Sequence, residues 1–460
     1  MNMPESNTET FCWAKKHFGN INLFNRTKTN RLVIIASRLA ENKGVSLARL
    51  FDRWYDVKAT YNLLNQKIMD PDTIQSEHRK LTFEAMKNYA GDVLAIEDGS
   101  EFEWNWKEAI AGLGPIGSGR KKDQGFILQS TLAVGVESKA SAGGYGIHIL
   151  GLPFQQYYVR VQKEKKDRKR RSNKDEFLET DLWRTAIQEE SIPKKVNVIR
   201  ICDRAADIYE VLTETQEYGC SYIIRLKHDR LDMETQKHVQ QQMKEFSSIG
   251  MTAIEKKGKR IELQINWKEI EFRAPQRPGK KLESFKSTIV HVWGIDHNGE
   301  PLEWFLHSNL PISSLQDAIK VTHYYALRWI IEDYHKALKS GLKAENLQFT
   351  TAHALFATIS IMSIVALRLI DLREKLRVAP EAPAEKSGLS QEEIRVLSAY
   401  LKREIKSVKC VALAIGRLGG HQNRTRDGMP GLLALWWGMS RFLSITEGVR
   451  LANLNFEKNG

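Results

Sequence analysis

The stretch YALRWIIEDYHKALK, residues 325–339, decides how the rest of the chain is read. At the α-helical step of about 100° per residue, Tyr325, Arg328, Glu332 and Lys339 fall within an arc of roughly 60°. The segment is about 21 Å long at the helical rise. One carboxylate therefore shares a face with a phenol, a guanidinium and an ammonium group. Leu327, Ile330, Ile331, Tyr334 and Leu338 gather on the opposite side, as a helix docked on a core requires. Taken alone, the spacing describes an ordinary amphipathic helix with a solvated polar face equally well. The residues that stand elsewhere in the chain must decide.

Upstream, two apolar runs end in acid. VLAIED (Val93–Asp98) and VNVIRICD (Val196–Asp203) read as buried strands reaching the rim of a sheet, where functional groups of open sheets collect. Glu97 and Asp98 are adjacent, so on a strand they point to opposite faces and only one enters a given site. A helix begins near Arg204, and Asp207 and Glu210 along it read as solvent-facing acids. A third strand, YIIRLK (Tyr222–Lys227), follows. FILQSTLAV (Phe126–Val134) and YGIHILGL (Tyr145–Leu152) read as an antiparallel meander.

Between the third strand and the 325–339 helix lies alternating β-rich sequence, from about Thr252 to His307, with an Asn298-Gly299 turn signal. The chain is expected to leave the sheet there, build a subdomain, and return. Asp98, Asp203 and Glu332 converge if the strands are neighbours and the helix packs across them. Such an all-oxygen donor set suits hard divalent cations. Each acid taken singly also reads as a surface carboxylate.

Composition narrows the partners. The 460 residues allow two or three domains, and a net charge of +13 asks for an acidic partner, nucleic acid first. The longest charge-free apolar run, Ala354–Leu367, falls short of the about 20 residues that span a bilayer and reads as a buried helix. No secretion signal opens the chain, so a cytoplasmic protein without a membrane partner is expected. Cys12, Cys202, Cys220 and Cys410 are too scattered for a zinc pair and too few for a disulfide framework.

Gly112, Gly114 and Gly117 have dinucleotide-fingerprint spacing, but Pro115 interrupts them and a strand follows where a helix should. No nucleotide cofactor is expected. Residues 10 to about 90 read as short helices. There, Arg26, Lys28 and Arg31 stand at a helix start, where they either grip phosphates or form a solvated face. Arg160–Arg171 packs eight Lys or Arg into twelve residues, read as a solvated loop or as a clamp beside a DNA path. A Pro- and Ala-rich linker (Val378–Gly388) opens a helical C-terminal segment. Trp436 and Trp437 within it suit a partner surface or a small local core.

With these residues in place the chain resembles the DDE transposases of bacterial insertion sequences, specifically the insertion-sequence-four family. The resemblance rests on AIED ending at Asp98, ICDRAADIY with Asp203, and the signature Tyr-x2-Arg-x3-Glu-x6-Lys at Tyr325, Arg328, Glu332 and Lys339. It implies an α/β fold: an RNase H-like catalytic core with a β-strand insertion, flanked by N-terminal and C-terminal helical domains. The expected boundaries are 1–75 for the DNA-binding domain, 76–377 for the core with its insertion at about 229–310, and 378–460 for dimerisation.

The resemblance further implies that Asp98, Asp203 and Glu332 bind two Mg²⁺ ions, with Mn²⁺ as substitute, and that Tyr325, Arg328 and Lys339 contact DNA phosphates. Trp304 corresponds to a tryptophan that stacks on a flipped base, although the residue itself reads as core. Arg225 corresponds to a DNA-contacting arginine, although an Arg ending a strand is ordinarily structural. Double-stranded DNA, as transposon ends and target, is the expected partner of a homodimer performing cut-and-paste transposition. The basic 160–171 segment departs from the family pattern, so its DNA path is left open. An inactive end-binding regulator and a structure-specific nuclease on the same core are the competing readings.

Overall fold

The computed structural model describes residues 9–41, 44–104, 108–117, 123–138, 145–161, 177–188, 196–256, 259–277, 279, 281–378, 380–424 and 427–458. Most of the basic 160–171 run lies outside the described residues. Four helices lead: α1 (Glu9–Phe18), α2 (Arg26–Glu41), α3 (Trp54–Leu64) and α4 (Pro71–Asn88). They form because their apolar residues recur at helical spacing and bury together, Leu32, Ile35, Ala36 and Leu39 of α2 among them. Asp70 caps α4 by accepting from Thr73 N at 2.9 Å, and Pro71 occupies the first turn, where its missing N–H costs nothing.

The central sheet contains β1 (Asp92–Trp104), β2 (Gly114–Pro115), β3 (Gln124–Ser138), β4 (Tyr145–Tyr158), β5 (Val198–Cys202) and β6 (Ser221–Arg225). Helices α5 (Leu182–Gln188) and α6 (Tyr209–Glu217) flank β5. β1 pairs antiparallel with β3, β3 pairs antiparallel with β4, and β5 and β6 continue parallel to β1. Three antiparallel strands followed by two parallel ones give the order β4-β3-β1-β5-β6, that of an RNase H-like core. The strands of this core are buried on both faces and correspondingly read as continuous apolar runs.

After α7 (Val239–Glu245) come β7 (Gly250–Lys256), β8 (Lys259–Phe272), β9 (Phe285–Ile295) and β10 (Pro301–Ser308). Their sequence suggested a departure from the sheet. Instead β10 pairs antiparallel with β6, and β9, β8 and β7 follow outward, so the inserted strands lengthen the core sheet. The free edge of β6 offers unpaired backbone groups, and β10 satisfies them.

The chain returns through α8 (Leu315–Ala326) and α9 (Trp329–Lys336). Ser314 and Asp317 form a reciprocal capping box at the start of α8. The long α10 (Ala352–Val378) packs on β4 and α4. It is long and apolar enough to cross a membrane, yet it lies within the protein core, with Leu355, Ile359, Met362 and Val365 buried. Last come α11 (Gln391–Leu401), α12 (Val408–Leu418) and α13 (Leu432–Lys458). Leu435, Met439 and Phe442 of α13 close a local core with Val411 and Ile415, while Trp437 remains exposed.

A buried ion pair fixes the strands that matter most for the site. Arg200 of β5 and Glu97 of β1 are both essentially inaccessible, joined by two bonds of 2.6 Å, and Arg200 also donates to Thr215 Oγ1 and to the Trp183 carbonyl. Glu97 thus faces away from the side that Asp98 occupies.

Candidate active site

β1 and β5 are parallel neighbours whose last paired residues are Glu97 and Cys202. Asp98 and Asp203 are the next residues on each chain. Side by side, strands lie about 4.8 Å apart, so the two acids are neighbours. Only Asp203 follows the end of its strand. Asp98 is not at the strand end its sequence suggested, because β3 keeps pairing with β1 as far as Trp104 after β5 has stopped, with Asp98 opposite Ser130. Asp203 is held by its own turn, its Oδ1 accepting from Ala205 N at 2.7 Å. Asp98 Oδ1 accepts from Gly99 N at 2.9 Å.

Glu332, in the first turn of α9, is linked to Asp98 through Arg328. The Arg328 guanidinium places Nη1 3.3 Å from Asp98 Oδ2 and donates through Nη2 to Glu332 Oε1. Only 14% of the Arg328 side chain is exposed, against 51% for Glu332. Burial pushes the Asp98 carboxyl up to about 6, and the negative charges of Asp203 and Glu332 push the same way, against Arg328 and the Gly99 N–H. Asp98 thus feels both other carboxylates, with one arginine bridging it to Glu332. Among the described residues no three His, Cys, Asp or Glu side chains already form a cage around an ion position.

The 325–339 stretch is not the single regular helix its spacing predicts. α8 ends at Ala326 and α9 begins at Trp329. Across the junction the bonds shorten to three-residue spans, Arg328 N to Tyr325 O (3.0 Å) and Ile331 N to Arg328 O (3.2 Å). After Lys336 the chain widens into a π turn, Ala337–Gly341, closed by Leu342 N to Ala337 O at 2.8 Å. No proline or glycine marks the first break, so nothing in the pattern announced it.

Around this junction the structure gathers several other predicted residues. Tyr325 is buried beside Arg328 and Arg225, and its phenol is raised by burial first and by Asp203. Arg225 donates to the Glu303 carbonyl at 2.9 Å, and burial, with Arg204 and Arg328 nearby, lowers it despite the favourable Tyr325. Lys339, in the π turn, donates to the Glu101 carbonyl, stands 3.8 Å from Glu345 and lies 5.0 Å over the Phe102 ring. Trp304 is buried, edge-on to Tyr325 at 5.0 Å and to Trp329 at 5.9 Å.

The N-terminal cations divide. Arg26 is exposed and Lys28 half-buried, but Arg31 is tied to Asp56 at 2.6 Å and straps α2 to α3.

Two family models match this chain: transposase DNA-binding over residues 12–68, and transposase DDE domain over residues 156–368. The chain carries the domains of a DDE transposase. In this transposase the first match spans Arg26, Lys28 and Arg31, and the second spans Asp203, Trp304, Glu332 and the residues around them. Asp98 lies outside both matched spans and joins the others through the register of β1 with β5 and through Arg328.

Two acids of the transposase behave otherwise than their sequence positions suggest. Asp207 is fully buried, accepting from Lys227 N, His228 N and Arg230 Nη1 at 2.6, 2.8 and 2.5 Å. Burial alone would raise this carboxyl, but His307, Arg230 and the two backbone donors hold it below the usual range. Glu210 pairs with Arg277. Both were expected to face solvent; Asp207 instead holds the segment that follows β6, while Glu210 stays partly exposed and ties α6 to the loop between β8 and β9. The sequence reading also passed over Arg204, an exposed cation directly after Asp203 and in electrostatic reach of Arg225. Its position beside a strand-end acid was the available signal.

Proposed function

We propose that this transposase is of the insertion-sequence-four type, binds the terminal inverted repeats of its element, and moves the element by cut-and-paste transposition. The observation that carries this reading is the placing of Asp98 on β1 beside Asp203 at the end of β5, with Glu332 joined to Asp98 through Arg328. The donor set is oxygen only, and Asp98 feels the negative charges of both Asp203 and Glu332 with one arginine beside it, which fits hard divalent cations. Asp98, Asp203 and Glu332 would hold two Mg²⁺ ions, or Mn²⁺ in their place. When bound, such a pair lowers the pKa of water and stabilises in-line displacement at phosphorus.

The residues of the chain supply binding and position. Arg328, Lys339 and Tyr325 contact phosphates near the scissile bond, with Arg225 behind them, while Arg26, Lys28 and Arg31 belong to the N-terminal contact with the repeat. Water attacks the phosphorus at each element end, and the departing 3′ oxygen takes a proton. The resulting 3′-OH attacks the opposite strand, forming a hairpin that releases the flanking DNA. A second water opens the hairpin, and the 3′-OH then attacks target DNA.

Trp304 reaches a base-stacking role only by opening its contacts with Tyr325 and Trp329. The C-terminal helices, with Trp437 exposed on α13, are the proposed homodimer contact. The reaction takes place in a bacterial cytoplasm. The test is incubation of the purified protein with the inverted repeats that flank its coding region, plus Mg²⁺. Nicked and hairpin products are expected from the wild-type protein. Asp203→Asn should bind the repeats and leave them uncut; strong cleavage by that variant would remove Asp203 from the reaction.

A further inference from the structure

Arg328 occupies an unusual place for a DNA-contacting residue. Its guanidinium is mostly buried and spends both ends on carboxylates, Asp98 on one side and Glu332 on the other. The short backbone spans between α8 and α9 aim it there: Arg328 lies in the break, ahead of the regular turn that begins at Trp329. A guanidinium bridging two carboxylates fills the space a metal ion needs between the same oxygens, and it carries the charge that holds the acids together. Guanidinium and divalent ion therefore compete for one position.

We propose that Arg328 is the resident counter-cation of the carboxylate cluster in the DNA-free protein, and that divalent-ion loading is coupled to DNA through this side chain. A phosphodiester offers Arg328 an alternative bidentate partner. Moving to it frees Asp98 and Glu332 for the ion, so each of the two ligands raises the affinity for the other, as linkage requires. The cluster is thereby kept from assembling a loaded nuclease away from DNA. This inference rests on the assignment of Asp98, Asp203 and Glu332 as ion ligands.

Mn²⁺ binding to the full-length protein, followed by titration calorimetry or by the loss of the free-ion paramagnetic resonance signal, tests it without any catalytic readout. In the absence of DNA, Arg328→Gln should bind Mn²⁺ about tenfold more tightly than wild type or better, within the usual range of coupling between sites. Adding a duplex that carries the flanking inverted repeat should tighten Mn²⁺ binding by a similar factor in wild type and leave Arg328→Gln nearly unchanged. Arg328→Lys keeps a charge but cannot bridge both acids, so it should fall between them. It also provides the comparison if the glutamine variant does not fold.

Equal Mn²⁺ affinity in wild type and the Arg328 variants without DNA would overturn the proposal. Asp203→Asn placed on each background separates the two levels. If it removes Mn²⁺ binding while the Arg328 variants match wild type, the ligand assignment stands and the counter-cation role fails. If Mn²⁺ binding is indifferent to Asp203→Asn, the ligand assignment itself fails, and the counter-cation role with it.

Discussion

Glu97→Ala should be among the most damaging single substitutions in the core although Glu97 lies on the face opposite the candidate site. Glu97 and Arg200 are 1% and 0% exposed, and each guanidinium nitrogen facing the carboxylate is 2.6 Å from an oxygen. Removing the acid leaves a buried cation with only Thr215 and the Trp183 carbonyl as partners. Breaking a buried pair in this way costs about 3–5 kcal/mol. At about 2–4 °C per kcal/mol for a large domain, the thermal midpoint should fall by roughly 6–20 °C.

Replacing both residues with leucine removes the stranded charge, and should recover most of the loss. The assay is urea unfolding of wild type, the two single variants and the double variant, monitored by tryptophan fluorescence. A Glu97→Ala variant that loses less than about 1 kcal/mol, the range of exposed pairs, would refute the reasoning. So would a double variant no better than Glu97→Ala. Because the pair holds β1 beside β5, a Glu97→Ala protein that still folds should also lose the close approach of Asp98 to Asp203, and DNA cleavage with it.

Other outcomes follow from particular contacts. His78 Nε2 accepts from Leu152 N, so its proton sits on Nδ1 and is donated to His17 Nδ1 at 3.0 Å. Burial first, then Lys16 and Arg368, lowers His17 from 6.5 to about 4. The neutral form is favoured on folding, so its contribution is complete above about 6.5 and disappears as pH falls toward 4, on the order of 3 kcal/mol in all. His17→Gln should flatten the acid limb of a stability–pH curve, and an unchanged curve would assign that limb to other groups. Trp304→Ala should cost about 3–5 kcal/mol of stability as a buried aromatic and slow hairpin formation more than first nicking; equal slowing of both steps leaves Trp304 a packing residue. Arg26→Ala should weaken repeat binding and lower its salt slope by about 1, whereas an unaltered slope would place Arg26 on a solvated face.

The sequence by itself determined the acids Asp98 and Asp203 where apolar runs stop, the helical acid Glu332, the basic N-terminal helices and the β-rich stretch between Thr252 and His307, but not that β1 runs on past Asp98 to Trp104. These are local signals: an apolar run that stops at an acid, a repeat at helical spacing, an Asn-Gly turn. Pairing and burial are non-local, and only the tertiary structure decided them. Register put Asp98 beside Asp203 because β1 chose β5 as its parallel neighbour and the Glu97–Arg200 pair fixed that choice. The edge of β6 captured β10 and turned an apparent subdomain into more sheet. Asp207 looked like a surface acid until Arg230 and two backbone N–H groups from beyond β6 closed over it. The break at Arg328 had no glycine or proline to announce it. α8 packs against β6 and the inserted strands while α9 packs against β1 and α10, and the junction between them brings the Arg328 guanidinium against Asp98 and Glu332.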